Sequence, residues 1–192
     1  VNFVLYFQLI RGNVKAFFKS EELKWYLIAV FASIIIIAVN IIPFNHGDVT
    51  KSIRDSAFQV SSIVTTTGYA TVNFNLWPTL SKVILIMLMF MGAMAGSTGG
   101  GIKTIRIVII FKAIRREIDK ILHPRRVKSV KIDGNVVEEE TISGVFLFIF
   151  AYIIISLIAI FIVSFDNFDV TTTVTSVIAT LSNIGPGLEM VG

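Results

Sequence analysis

The order of apolar and polar positions divides the chain into three long hydrophobic runs with polar segments between them. These runs are Trp25–Ile42, Leu80–Phe111 and Ile142–Phe165. A helix as long as the first run reaches about 27 Å, close to the ~30 Å of a membrane's hydrocarbon core. Trp25 and Tyr26 stand at one end of that run, where interfacial aromatic side chains are common. The pattern predicts helices that cross a membrane.

The second run is too long for one straight membrane helix, since Leu80–Phe111 would extend roughly 48 Å. Its middle, Gly92–Lys103, reads GAMAGSTGGGIK and holds five glycines with a serine and a threonine. Each glycine inside a helix costs about 1 kcal/mol relative to alanine. The run is therefore predicted to be a helix that a loop breaks in the middle.

Composition supports a membrane environment. The chain is 54% hydrophobic and 16% charged, with a mean hydropathy of +0.79, whereas soluble domains carry about 25% charged residues. Cysteine is absent, which excludes disulfides and thiolate metal sites. His46 and His123 lie far apart in the sequence and predict no metal site. Because no charged segment precedes the first apolar stretch, we predict no signal peptide and expect these residues to continue a longer polypeptide.

Basic residues are concentrated between the second and third runs. They are Lys112, Arg115, Arg116, Lys120, Arg125, Arg126, Lys128 and Lys131. The positive-inside rule places this loop in the cytoplasm. Topology alone explains the charge, and contact with anionic lipid or an acidic partner is the alternative. Within Val130–Thr141, the pair Asp133-Gly134 predicts a short hairpin ahead of an acidic helix start.

Two short, threonine-rich segments follow the first and third runs on the outer side. The first is Val49–Ile63, which leads into TTTGY, and the second is Asp169–Gly187, which contains SNIGPG. Both are short and polar for a membrane span, so we expect half-helices that re-enter the membrane where protein surrounds them or water lines them. Aligning Gly68 with Gly185 gives one order in both copies: a span, a short helix and a glycine turn. This order indicates an internal repeat.

Several carboxylates accompany these segments, namely Asp48, Asp55, Asp166, Asp169 and Glu189. They either concentrate cations at an outer vestibule or have local roles. Asp48 and Asp169 precede the two short helices and are candidates for N-caps. Glu189 follows the second glycine turn, as a vestibule carboxylate or as a solvated loop residue.

A glycine turn at the end of a half-helix suits an ion pathway. Rings of backbone carbonyls replace the hydration shell of the ion in potassium channels, and the C-terminal end of a helix adds partial negative charge. The alternative is a plain surface turn between two spans. The stretch Gly96–Thr104 is not a phosphate-binding loop, because Ile102 separates Gly101 from Lys103 and breaks the required spacing. A nucleotide-hydrolysing enzyme is therefore not predicted.

Three stretches together resemble the superfamily of potassium transporters that includes TrkH, KtrB and plant HKT proteins. They are VTTTGYA (Val64–Ala70), GAMAGSTGGGIKTIR (Gly92–Arg106) and SNIGPGLEMVG (Ser182–Gly192), with the greatest similarity to TrkH. The resemblance implies an all-α membrane protein. Its fold would be potassium-channel-like, with repeated membrane helix–pore helix–membrane helix units, four of them around one pore.

The resemblance also implies how the chain is divided into parts of units two to four. Residues 1–20 are expected to end the preceding unit and form a cytoplasmic linker, and residues 21–121 to form the third unit with its broken second helix. Residues 122–141 would form a cytoplasmic loop, and residues 142–192 the fourth unit up to its filter. Selectivity in the family varies with the glycine of the first filter, which these residues do not include.

The site residues follow from the same resemblance. Backbone carbonyls of two filter segments would coordinate the ion, from Thr66, Thr67, Gly68, Asn183, Ile184 and Gly185. A gate would cross the pore below the filter, formed by Gly96, Ser97, Thr98, Gly99, Gly100, Gly101 and Lys103. A lysine there repels cations while the loop is in place. The alternative is that Lys103 and Arg106 begin the cytoplasmic half of the helix and extend to water.

The implied function is potassium uptake across the cytoplasmic membrane by a multi-pass protein. No covalent catalysis and no covalent cofactor are expected, with K⁺ as the transported ligand. Expected partners are membrane lipid, a second copy in a homodimer and a TrkA-like cytoplasmic ring of nucleotide-binding regulatory subunits near Lys112–Lys131. Nucleic acid is not expected. A sodium-permeable or sodium-coupled transporter and a non-transporting membrane scaffold are the alternatives.

Overall fold

The structure is a computed structural model and describes residues 2–12, 14–123 and 128–189. The helices in these ranges are α1 Phe3–Ile10, α2 Val14–Lys19, α3 Glu21–Ile41, α4 Val49–Val64, α5 Thr79–Met91, α6 Thr104–Leu122, α7 Glu139–Val163 and α8 Val170–Leu181. Two short 3₁₀ turns, Phe74–Leu76 and Ser164–Asp166, and a hairpin of strands β1 Lys131–Ile132 and β2 Asn135–Val136 complete the described structure. The predicted all-α fold is confirmed.

The first and third hydrophobic runs form long helices. Among the described residues, α3 and α7 are long and apolar enough to cross a membrane. α3 begins before the predicted Trp25, at Glu21, because the hydroxyl of Ser20 accepts the N–H of Leu23 and caps the helix. Many large apolar side chains of α7 are exposed. Such a surface is unfavourable in water but not in lipid, so it fits a helix that faces a bilayer.

The second run is a broken helix, as predicted. α5 ends at Met91 and α6 begins at Thr104, and we call the residues between them, Gly92–Lys103, the Gly-rich loop. The N–H of Ile102 donates to the carbonyl of Phe90 at 3.1 Å, and the N–H of Thr104 donates to that of Ala93 at 3.2 Å. These bonds close the ends of the loop onto each other, so the chain leaves the helix and returns beside the same point.

The short helix α4 lies in the core and packs against α3 and α5. The buried apolar side chains at this contact include Ile37, Ile41, Val60, Ile63, Val64, Leu85 and Met89. The polar side of α4 is buried as well, through Ser52, Asp55, Ser56, Gln59 and Ser62. A polar helix at membrane depth must be enclosed in this way. The second short helix, α8, packs against α7 and reaches α5, which joins the two repeats.

The loop between α6 and α7 contains the predicted hairpin. Lys131 pairs with Val136 and Ile132 with Asn135, and both turn residues, Asp133 and Gly134, have positive φ angles of 50° and 86°. Two such residues in a row make the turn that suits the twist of a hairpin. The predicted basic residues Arg125 and Arg126 lie outside the described residues.

Candidate functional site

Both short helices end in the same hydrogen-bonded cap. At the end of α4, the N–H of Thr67 donates to the carbonyl of Ser62 at 2.9 Å, and at the end of α8 the N–H of Ile184 donates to that of Ala179, also at 2.9 Å. Two further N–H···O bonds of each cap recur at the same spacing in both copies. This is the Schellman arrangement, which satisfies the last carbonyls of a helix. The alignment of Gly68 with Gly185 is confirmed by the backbone.

The cap places a residue other than glycine in the left-handed region in each copy. These residues are Thr66, with φ 56°, and Asn183, with φ 54°. Asparagine tolerates this region, but a β-branched threonine is strained there. Such strain persists only where the surroundings fix the backbone, and it concentrates at functional sites. Thr66 is therefore held in a conformation that its own preferences disfavour.

Hydroxyl groups brace both turns. Ser62 donates to the carbonyl of Tyr69 at 2.5 Å, which ties the first turn back to α4. Tyr152 of α7 and Ser182 share a hydrogen bond of 3.0 Å between their hydroxyls, and Ser182 is fully buried. Sequence reasoning missed Ser62 and Tyr152. The one available signal for Tyr152 was that it is the single tyrosine of a mostly apolar helix.

The two glycine turns lie side by side. Gly68 has φ 79°, and a Cβ atom built on it would overlap the carbonyl oxygen of Ile184 and lie 3.0 Å from Cδ of Pro186. A Cβ on Gly185 would lie 3.9 Å from the Cα of Gly68. Segments that are more than a hundred residues apart in sequence therefore meet, and the predicted residues Thr66–Gly68 and Asn183–Gly185 come together.

The Gly-rich loop packs against the C-terminal ends of both short helices. A Cβ on Gly99 would lie 2.7 Å from Cβ of Ala93 and 3.4 Å from Oγ1 of Thr66. A Cβ on Gly100 would overlap the carbonyl oxygen of Ser182 and lie 3.3 Å from Cβ of Asn183. Glycine fits at Gly100 because the end of α8 lies so close, and at Gly99 because Ala93 of the same loop does, with Thr66 at contact distance.

Two basic side chains are fixed beside the loop. The ammonium of Lys103 donates to the carbonyl of Ser97 at 3.4 Å and to that of Gly99, so it turns back onto the loop instead of extending away. The guanidinium of Arg106 lies 3.9 Å from the ring centroid of Phe148 in α7, and it donates to the carbonyl of Ile102 at 3.1 Å. The positive charge of Lys103 therefore belongs to the loop itself.

The two aspartates that precede the short helices are N-caps. Asp48 accepts the N–H of Lys51 at 2.9 Å, and Asp169 accepts the N–H of Thr172 at 2.9 Å. A capping carboxylate also interacts favourably with the positive end of the helix. This confirms one of the two roles considered for them.

The N-cap of α8, Asp169, makes the stability of the folded protein depend on pH. The hydroxyl and the N–H of Thr172 lower the pKa of Asp169. A carboxylate with a depressed pKa in the folded state adds stability above its unfolded pKa of about 3.9, and that stability is lost as the pH falls through the folded pKa. We expect the wild type to unfold at a higher temperature than Asp169→Asn at neutral pH, and the gap to narrow below about pH 4. Thermal unfolding in detergent measures this, and a gap independent of pH would contradict it.

The loops that follow the two glycine turns are hydrogen-bonded to each other and so link the two repeats. The side chain of Asn75 accepts the N–H of Glu189 at 2.8 Å and donates to its carbonyl at 3.2 Å. The carboxylate of Glu189 lies 3.9 Å from the ammonium of Lys82 and is 45% exposed. Glu189 is thus a partly solvated loop residue with a cationic neighbour, next to the second glycine turn.

Comparison with known proteins identifies the family. A family model described as "TrkH: Cation transport protein" matches residues 13–189. The chain belongs to the TrkH family. The resemblance seen in the sequence is confirmed, and family membership implies a membrane protein.

Individual relatives support the assignment to the TrkH family. The Trk system potassium uptake protein TrkH of Escherichia coli (strain K12) is 35% identical over 99% of this chain and 40% of its own length. The Trk system potassium uptake protein TrkG of the same strain is 32% identical over 97% of this chain and 39% of its own length. These relatives are named as transporters and not as enzymes. The chain spans about two fifths of the length of these curated TrkH and TrkG relatives.

A solved TrkH structure shows the fold. The crystal structure of the potassium transporter TrkH from Vibrio parahaemolyticus matches with a TM-score of 0.90 at 30% identity, over 100% of this chain and 42% of that chain. The fold is therefore that of a TrkH membrane transporter, which is potassium-channel-like, as the resemblance implied.

Proposed function

We propose that this protein takes up potassium ions across the cytoplasmic membrane, through a pore that passes the two glycine turns. The observation that carries the proposal is the contact between Gly68 and the Ile184–Pro186 segment, at the ends of two half-helices with identical caps. The C-terminal ends of α4 and α8 meet there, and each adds partial negative charge that favours a cation. The names of the TrkH relatives support potassium as the substrate.

The filter in this proposal uses backbone carbonyls in place of the ion's water shell. The carbonyls come from six residues, Thr66, Thr67, Gly68, Asn183, Ile184 and Gly185. The identical caps support equivalent roles for the two segments, because the backbone geometry repeats residue by residue. The strained φ of Thr66 supports a functional constraint on the first segment.

The gate in this proposal is the middle of the Gly-rich loop. It comprises Gly96, Ser97, Thr98, Gly99, Gly100, Gly101 and Lys103. The contacts of Gly99 with Thr66 and of Gly100 with Ser182 support a position directly at the inner end of the filter. The ammonium of Lys103, bound to the loop's own carbonyls, adds a positive charge that repels a cation while the loop stays there.

The remaining parts of the proposal concern the whole protein. Residues 21–121 and 142–192 belong to successive membrane–pore–membrane units, linked by the cytoplasmic loop 122–141 and preceded by the linker 1–20. The protein is a multi-pass protein of the cytoplasmic membrane that works as a homodimer. A TrkA-like nucleotide-binding ring docks near Lys112–Lys131 and regulates it. K⁺ is the transported ligand, and no covalent cofactor takes part.

Two other functions would use this architecture differently. A sodium-permeable or sodium-coupled transporter would use the same architecture, whereas a non-transporting scaffold would have degenerate turns. The matching caps and the contact between the two turns favour a working filter over a scaffold.

Rubidium uptake distinguishes the three functions. The complete polypeptide is placed in vesicles with its cytoplasmic partner and nucleotide, and uptake is competed with potassium and then with sodium. We expect potassium to compete and sodium to have little effect. Equal competition by sodium would support the sodium-permeable transporter, and absence of uptake under all conditions would support the scaffold.

A further inference from the structure

One buried carboxylate contacts both sides of the Gly-rich loop. Glu22, in the first turn of α3, is 6% exposed. Its Oε1 atom accepts the N–H of Ala95, within the loop, at 2.7 Å and the N–H of Ile105, just after the loop, at 3.2 Å. A carboxylate is costly to bury unless hydrogen bonds compensate it. Here both compensating donors are backbone groups on the two sides of the loop.

The contact with Ile105 supplies a cap that α6 does not provide for itself. The N-cap position of α6 is Lys103, and an ammonium has no lone pair that can accept the free N–H groups of the first turn. Glu22 provides an acceptor from another helix, and its charge also suits the positive end of α6. Because the same oxygen binds Ala95, the start of α6 and the first half of the loop are fixed to one point on α3.

The residue before Glu22 is fixed to the cytoplasmic hairpin. The N–H of Glu21 donates to Oδ1 of Asp133 at 2.6 Å. The ammonium of Lys112 binds the carboxylate of Glu21 and donates to the carbonyl of Lys131 at 2.7 Å. The hairpin β1–β2 therefore holds the first turn of α3 from one side, while Glu22 holds the loop from the other.

We infer that Glu22 is a positioning residue that keeps the Gly-rich loop against the ends of α4 and α8, and that the hairpin sets this hold through Glu21. The inference rests on the proposed role of the loop as the gate. A displacement of the hairpin pulls on Glu21, moves the adjacent Glu22 and breaks its hydrogen bonds to Ala95 and Ile105 together. A cytoplasmic signal then reaches the pore through two consecutive residues of α3.

The test measures the loop and the ion flux separately. In the complete polypeptide, with any cysteine outside these residues replaced by serine, Ser97→Cys introduces a single thiol on the half-buried part of the loop. The labelling rate of this thiol by a water-soluble reagent reports the release of the loop. Basal rubidium uptake, without regulatory subunit or nucleotide, reports the gate.

Three variants and one control are compared on this background. Glu22→Ala removes both hydrogen bonds, and we expect labelling and basal uptake to rise roughly tenfold or more, since two bonds to a charged acceptor are lost. Glu22→Gln keeps a carbonyl oxygen in the same place and should stay within about threefold of the wild type. Lys112→Met should raise labelling above the wild-type rate, but by less than Glu22→Ala does. The control Ser164→Ala removes a hydroxyl bond to the carbonyl of Phe161 at the end of α7, which involves neither α3 nor the loop, and should leave labelling unchanged.

The outcomes separate the inference from the proposed gate. Labelling that does not rise in Glu22→Ala overturns the inference, as does a rise of equal size in Glu22→Gln or Ser164→Ala. Labelling that rises while basal uptake stays unchanged supports the hold by Glu22 and rejects the loop as the gate. A rise in Glu22→Ala with none in Lys112→Met overturns the role of the hairpin.

Discussion

Replacement of Gly68 by alanine is expected to reduce rubidium uptake by roughly tenfold or more, or to abolish its selectivity for potassium over sodium. Gly68 has φ 79°, and a left-handed conformation costs an L-residue about 1–2 kcal/mol. The new Cβ would also overlap the carbonyl oxygen of Ile184, so one of the two turns must move. Uptake into vesicles with potassium and sodium as competitors measures both effects.

Gly47→Ala is the matched control for this variant. Gly47 has a similar φ of 87°, but an added Cβ meets no atom of the described residues within 4 Å. The backbone strain is therefore shared, and only the overlap with the second turn differs. We expect Gly47→Ala to keep uptake within about twofold and to keep its selectivity. Equal losses of uptake or selectivity in the two variants would show that backbone strain alone is responsible. That result would contradict a role for the contact between the two turns.

Replacement of Gly100 by alanine is expected to raise basal uptake roughly tenfold while preserving the preference for potassium. Gly100 has an ordinary φ, so the cost is steric: the new Cβ would overlap the carbonyl oxygen of Ser182 and press on Cβ of Asn183. A loop that cannot approach the end of α8 leaves the pore open, since an overlap this close requires something to shift. The measurement is uptake in the absence of regulatory subunit and nucleotide.

Gly144→Ala provides the control, because Gly144 lies in α7 and an added Cβ there meets no described atom within 4 Å. In a helix interior, alanine is more favourable than glycine by up to about 1 kcal/mol. Neither uptake nor expression of Gly144→Ala should therefore fall. If Gly100→Ala lowered basal uptake, or changed it no more than Gly144→Ala, the loop would not be the barrier to the ion.

The order of elements was predictable because hydrophobicity and glycine are local signals. The uncharged run Ile142–Phe165 corresponds to helix Glu139–Val163, and the glycines of Gly92–Lys103 mark the break between α5 and α6. The pair Asp133-Gly134 forms its hairpin turn. Helix starts were less accurate, because the Ser20 cap of α3 and the acidic first turns of α3 and α7 extend these helices beyond the apolar runs.

The contacts that build the site were not predictable from local patterns. Nothing near Glu22 in the sequence indicates that it accepts N–H groups from Ala95 and Ile105, since acidic residues are ordinary in a first helical turn. The hydroxyl pair of Tyr152 and Ser182 is equally remote in sequence. A left-handed Thr66 was also unexpected, because glycine is the usual residue there. The resemblance to TrkH supplied the expected filter and gate residues, but none of these contacts.

The measurement that tests the central claim most directly locates the ion itself. Crystals of the complete polypeptide grown with rubidium, and measured at its absorption edge, show where the transported ion binds. Anomalous density beside the carbonyls of Thr66–Gly68 and Asn183–Gly185, which disappears in Gly68→Ala, is the predicted result. Density elsewhere in the molecule, with none between the two glycine turns in a protein that takes up rubidium, would contradict the account.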